Sequence, residues 1–264
     1  MLNKKILFVH VGQHKTGTTT LQKVLTKVKL NNEIYIPHSF VINSDIYLRH
    51  APLARFFMKV KEINNIKFKL IDLKNELRFK KKVLLTSEDF SLMLTNQKFK
   101  KNFEKFFSDY KIIYISFIRN TNDKNISLVR ELTSLKKINK IYRKILQIKY
   151  FLNLIFKGYL VDKYLNNEDK VYFYSNYKKY IRKLKKNSRG KFFFLNYDKD
   201  INVVEEFWKM GFLNKKIRSK KLNSRNKKNI NYYLFYSIFK NKIFYINKSN
   251  NEKKIKLIKK YVIN

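Results

Sequence analysis

Residues 12–19 read GQHKTGTT and lie between an apolar run, Ile6, Leu7, Phe8 and Val9, and a helical pattern of Leu21, Val24, Leu25 and Val28. Strand, glycine-bearing loop and helix in that order cradle a phosphate. Backbone N–H groups of the turn and of the helix N-terminus point at the anion, and the helix dipole favours negative charge there. The whole chain has only five glycines, and Gly12 and Gly17 are two of them. In so glycine-poor a chain, their placement marks backbone that a side chain would obstruct.

The apolar run at 5–11 is continuous rather than alternating, as expected of a parallel strand covered on both faces. Further strands are expected at 33–36, 83–86, 111–117 and 192–195. Helical spacing is expected at 18–29, 47–60, 68–77, 99–107, 126–135 with continuation to 165, 177–184, and 203–210, where Gly211 stops it. Strands alternating with helices give βαβ units, hence an α/β fold around a mainly parallel central sheet. Ligands of such sheets bind outside the C-terminal strand ends, and Lys15, Glu88 and Arg119 all fall at such ends. A basic, Asn-rich stretch at 215–229 and an aromatic-rich helix at 232–239 follow. With no repeat and no Pro/Gly/Ser linker, the simplest reading is one domain over 1–264, with residues from about 213 onward as a basic helical C-terminal extension.

The 264 residues are 44% hydrophobic, enough for a real core, and they contain no cysteine, which removes disulfide and thiolate chemistry. A reducing cytoplasm is the expected compartment. The N-terminal apolar run is too short for a secretory leader. The stretch 146–161 is broken by Lys149 and Lys157, so no membrane span is expected. Net charge is +41, from 60 Lys plus Arg against 19 Asp plus Glu. Two causes stay open: selection for an anionic partner such as a nucleic acid, an acidic glycan, a nucleotide or an anionic membrane, and drift towards AT-rich codons, which also favours Asn, Ile, Phe and Tyr. Either way the surface attracts polyanions. The four histidines lack metal-ligand spacing, so no metal site is expected.

A Walker A loop reads G-x-x-x-x-G-K-[ST]. Gly12 and Gly17 keep that spacing, but Thr18 stands in the lysine position and Lys15 lies inside the loop. The string HVGQHKTGTTTLQ instead resembles the 5′-phosphosulfate-binding loop of sulfotransferases that use 3′-phosphoadenosine-5′-phosphosulfate (PAPS), and within them the bacterial carbohydrate-type members. The resemblance implies a P-loop-like three-layer fold. It implies that Lys15, Thr16, Gly17, Thr18 and Thr19 hold the 5′-phosphosulfate, with His14 touching it. Lys15 would also neutralise charge developing on the leaving phosphate oxygen.

The family's second signature is a strand, then an arginine, then a serine about eight residues on, both binding the 3′-phosphate. Here IIYISFIRNTNDKNISLVRE puts Arg119 at the strand end and Ser127 near a helix start. A guanidinium offers a forked donor set to phosphate. Asn120 and Thr121 stand where many members have proline. Apart from the family, the same residues read as a solvated arginine and an N-cap serine.

Transfer to a hydroxyl requires its proton to be removed. VLLTSEDF resembles the family's strand followed by Ser-Ser-Glu, which makes Glu88 the first candidate base. The structural alternative is that Glu88 positions Arg119 or Lys15. His50, in YLRHAPLARFF, resembles a histidine-bearing helix of the bacterial members and is the second candidate, with His38 also on the acceptor side. His10, on the strand, reads as a core residue. LNSRNKKN resembles an Asn-x-Ser element through Asn223 and Ser224. Nearby Lys220, Lys221 and Arg225 read as contacts to the 3′-phosphate or an acidic acceptor, or as a solvated face. The expected activity is PAPS-dependent sulfuryl transfer to a hydroxyl, by resemblance that of a carbohydrate, without a metal. The rivals are a P-loop nucleotide or small-molecule kinase, a non-enzymatic basic nucleic-acid-binding protein with Tyr and Phe interleaved among lysines, and an inactive member of the fold.

Overall fold

Strand β1 (Lys5–Val11) sits at the centre of the sheet, and its sequence explains why. From Leu7 onward every residue is buried, as only a strand with neighbours on both edges and layers on both faces can be. The computed structural model describes residues 5–12, 17–27, 32–41, 48–59, 70–119, 128–129, 133, 139–157, 159–162, 171–174, 177–197, 202–214, 216 and 251–263. The elements that follow β1 are α1 (Thr18–Leu25), β2 (Ile34–Tyr35), α2 (Ala51–Phe57), α3 (Leu70–Leu77), β3 (Lys82–Ser87), α4 (Asp89–Met93), α5 (Gln97–Phe106) and β4 (Tyr110–Arg119). Next come α6 (Lys140–Phe156), β5 (Tyr159–Asp162), β6 (Val171–Tyr174), α7 (Tyr177–Lys185), β7 (Lys191–Tyr197), α8 (Val203–Lys209) and α9 (Asn251–Ile263).

Five strands form one sheet in the order β2-β3-β1-β4-β7, every pair parallel. The connection leaving β1 runs towards β2 and β3. The chain then crosses to β4 on the other side, and β7 lies beyond it. The connections leaving β1 and β4 therefore diverge, which opens the crevice where α/β sheets bind ligands.

Two apolar layers cover the sheet. Leu7, Val9 and Val11 share one core with residues of α2 to α5, α6 and α7. Phe8, Ile113, Ile115 and Phe117 share the other with Leu21 and Leu25 of α1, Phe207 of α8, and Ile255, Ile258 and Val262 of α9. The expected C-terminal extension thus ends in a helix built into the second layer, where Lys82 Nζ donates to the Val262 carbonyl at 2.9 Å. Asparagine, abundant in this chain, supplies N-caps. Asn96, Asn139 and Asn202 each accept from amides of the first turn, at α5, α6 and α8.

One expectation fails locally, and one element is unexpected. Helix does not run on to 165, because residues 159–162 and 171–174 pair as an antiparallel hairpin. A short helix, α4, also follows β3 directly. Of the expected stretch at 215–229 only Lys216 is described, and the expected helix at 232–239 lies outside the described residues.

Candidate functional site

The glycine-bearing segment begins where β1 ends. The Gly12 amide donates to the Ser87 carbonyl at 3.1 Å, which ties the loop to the end of β3. A Cβ on Gly12 would stand 2.5 Å from Thr18 Oγ1 and 3.1 Å from Glu88 Cγ. The first distance is shorter than real Cβ contacts, so a side chain here would displace Thr18. Gly17 closes the loop at φ 79°, the left-handed residue before α1. A Cβ there would meet Val203 Cγ2 at 3.0 Å and the Tyr197 ring at 3.5 Å. Gly12 therefore lies against Glu88 on the β3 side, and Gly17 against Tyr197 and Val203 on the β7 side.

Arg119 ends β4 and is paired in register with Tyr197. It is half-buried. Its strand adjoins β1, so a helix N-terminus and a guanidinium flank the same crevice. Thr18 is buried, and its Oγ1 has no hydrogen-bond partner among the described residues. Thr19, beside it, is half-exposed. His14, Lys15, Thr16 and Ser127 lie outside the described residues, as do Lys220, Lys221, Asn223, Ser224 and Arg225.

The two acids after β3 have different surroundings. Asp89 is buried, and its Oδ2 accepts from Arg55 Nε at 2.8 Å. Glu88 is half-buried, occupies the N-cap position of α4 without a side-chain cap bond, and lies against the loop glycine.

Three histidines are described. His10 is fully buried under α1 and α8, edge-on to Phe117 and Phe207. Its Nδ1 shares a hydrogen bond of 2.9 Å with Thr86 Oγ1, and its Nε2 has no partner among the described residues. Burial pushes its pKa down to about 3. His50 is also fully buried. Strand β2 is only two residues long, so β3 runs on past it, and His50 completes that edge. Its backbone amide donates to the Thr86 carbonyl at 2.9 Å, and its Nδ1 accepts from the Thr86 amide at 3.2 Å. Its Nε2 donates to the Pro37 carbonyl at 3.1 Å. Burial pushes its pKa down to about 4. Both ring nitrogens are therefore engaged inside the fold. His38 is exposed, its ring beside Tyr35 and its amide donating to Glu76 Oε1 at 2.6 Å.

Sequence reasoning missed Tyr197 and Val203 as walls of the loop. One tyrosine among 18 carries no local signal. It is singled out only by the pairing of β7 with β4.

No family model matches the sequence, and no curated protein is similar to it at a significant level. Among solved structures, a crystal structure of a sulfotransferase from Alicyclobacillus acidocaldarius resembles it at 17% identity over 56% of this chain and 68% of that one, with a TM-score of 0.32. A likeness at that level assigns no role to any residue.

Proposed function

We propose that the chain is a sulfotransferase that moves the sulfuryl group of PAPS to an acceptor hydroxyl, one borne by a carbohydrate. The reading is carried by one juxtaposition. The loop bounded by Gly12 and Gly17 and the Arg119 strand end flank the divergence point between β1 and β4. The loop and the Arg119 segment also resemble, in order, the two phosphate-binding signatures of that family.

The donor supplies an activated sulfuryl group carrying two phosphate handles. Backbone amides of residues 17–19, the Thr16, Thr18 and Thr19 hydroxyls, Lys15 and the neighbouring His14 hold the 5′ end. The buried Thr18 hydroxyl fits this role, since a phosphate oxygen would satisfy it. Arg119 and Ser127 hold the 3′-phosphate. The bond from sulfur to the donor's phosphate oxygen breaks as the bond to the acceptor oxygen forms, with Lys15 neutralising the leaving oxygen. The acceptor proton goes to Glu88. We assign it there and not to His50, whose two nitrogens are bonded within the fold. Charge stabilisation and positioning supply the rate, as in phosphoryl transfer. The reaction needs no metal and runs in the cytoplasm.

Thermal shift tests the reading. Adenosine 3′,5′-bisphosphate, the spent donor, should raise the melting midpoint of the wild type and have little effect on Arg119→Ala. Equal stabilisation of both proteins, or of neither, overturns the proposal. Stabilisation by ATP–Mg alone would favour the kinase reading.

A further inference from the structure

Helix α6 is apolar on two opposite faces, and only one of them faces the core. Inward, Leu154 is buried, and Gln147 Nε2 donates to Thr133 Oγ1 at 2.9 Å. Outward, Ile141, Ile145 and Ile148 follow one another at helical spacing and are 73%, 57% and 40% exposed. Tyr142 beside them is 57% exposed, with the apolar ring and polar tip that suit a membrane–water boundary. Lys144 and Lys149 flank the stripe and are exposed. From residue 132 to 161 every charged residue is basic.

An amphipathic surface helix of a soluble protein presents a polar face to water. Here the outward face carries aliphatic side chains bordered by cations. A second copy of this chain would bring another +41 against the first, so self-association through this face works against charge repulsion. A nucleic acid would answer the lysines and leave the isoleucines in water. An anionic bilayer satisfies both, with acyl chains for the isoleucines and headgroup charge for the lysines. No helix among the described residues is long and apolar enough to cross a membrane, so such a helix lies along the surface. We propose that the outer face of α6 docks the protein on an anionic lipid surface through Ile141, Ile145 and Ile148, with Lys144 and Lys149 pairing headgroups.

Co-sedimentation of the full chain with phosphatidylglycerol–phosphatidylcholine vesicles, against phosphatidylcholine alone, tests this. The wild type should partition to the mixed vesicles and much less to the neutral ones. Ile145→Ser/Ile148→Ser leaves the net charge unchanged and should lower that partitioning about tenfold or more. Lys144→Glu/Lys149→Glu should lower it similarly. Lys101→Glu/Lys105→Glu makes the same change of charge on exposed positions of α5, and should stay within about twofold of wild type. Ile141→Ser, the most exposed of the three sites, serves as the second variant should the serine pair melt early. Wild-type binding by the serine variants overturns the proposal, as does an equal loss in the α5 pair. Light scattering that shows a dimer dissolved by the serine pair also overturns it, because the occupant would then be a second copy.

Discussion

The ends of β1 and β3 lie side by side, yet they treat polar groups in opposite ways. At the end of β3, His50 and Asp89 both have their partners inside the fold. His50 uses its amide and both ring nitrogens, and Asp89 is taken by Arg55. At the end of β1 the backbone is kept bare at Gly12, the Thr18 hydroxyl is buried without a partner, and His10 Nε2 is likewise unpartnered among the described residues. Burying a polar group unpaired costs about 1–3 kcal/mol. The first arrangement is what structure looks like. At Thr18 the second is the kind of cost that a bound anion would recover.

The sharpest way to break this contrast is to neutralise the two acids separately. Glu88→Gln should lower kcat by about 10²–10⁴-fold with little change in melting temperature. Asp89→Asn should cost about 1–3 kcal/mol of stability, read by urea denaturation, and retain turnover in the folded fraction. If the two exchange roles, the division between site and scaffold is wrong.

The histidines sharpen it next. His10 and His50 have folded pKa values lowered to about 3 and about 4, below an ordinary 6.5. Below pH 6.5 the unfolded chain takes up protons that the folded chain refuses. Their contribution to stability is therefore present above about pH 6.5 and is lost as pH falls towards the folded values. Between pH 7 and 4.5 the unfolding free energy should fall by about 2–3 kcal/mol for each histidine. His50→Gln should flatten that slope in a pH series of denaturation curves. A wild-type curve that does not change from pH 7 to 4.5 would contradict the buried, bonded state of both rings.

The smallest expected effect concerns the bare backbone. Gly12→Ala drives a methyl group onto Thr18 and should cost about 1–3 kcal/mol, and it should also weaken bisphosphate binding. Adding Thr18→Ala opens the space, so the double variant should recover melting temperature without recovering ligand stabilisation. Recovery of both would mean that the Thr18 hydroxyl does not hold the anion.

Much of this was legible in the sequence, for identifiable reasons. Continuous apolar runs fixed the main strands, because strands buried on both faces need no alternation. The two loop glycines marked the close approach that the geometry requires. The hairpin of β5 and β6 was not legible. Its strands are four residues each, they follow a long helical pattern, and their pairing is decided across an intervening segment. The role of His50 was hidden for a similar reason. Nothing near it in the chain says that β2 stops after two residues and leaves Thr86 to be satisfied. Asp89 and Glu88 are adjacent in sequence, and only Arg55, 34 residues away, separates their surroundings.

The wall behind Gly17 has a consequence in time. The loop is synthesised well before Tyr197 and Val203, which stand about 180 residues further along the chain, and α9, which adds to the second layer, is made after both. A growing chain that has released β1 to β4 owns the glycines of the loop without the surface that holds Gly17 in place. The packing behind Gly17 is therefore completed only after β7 and the start of α8 have been made.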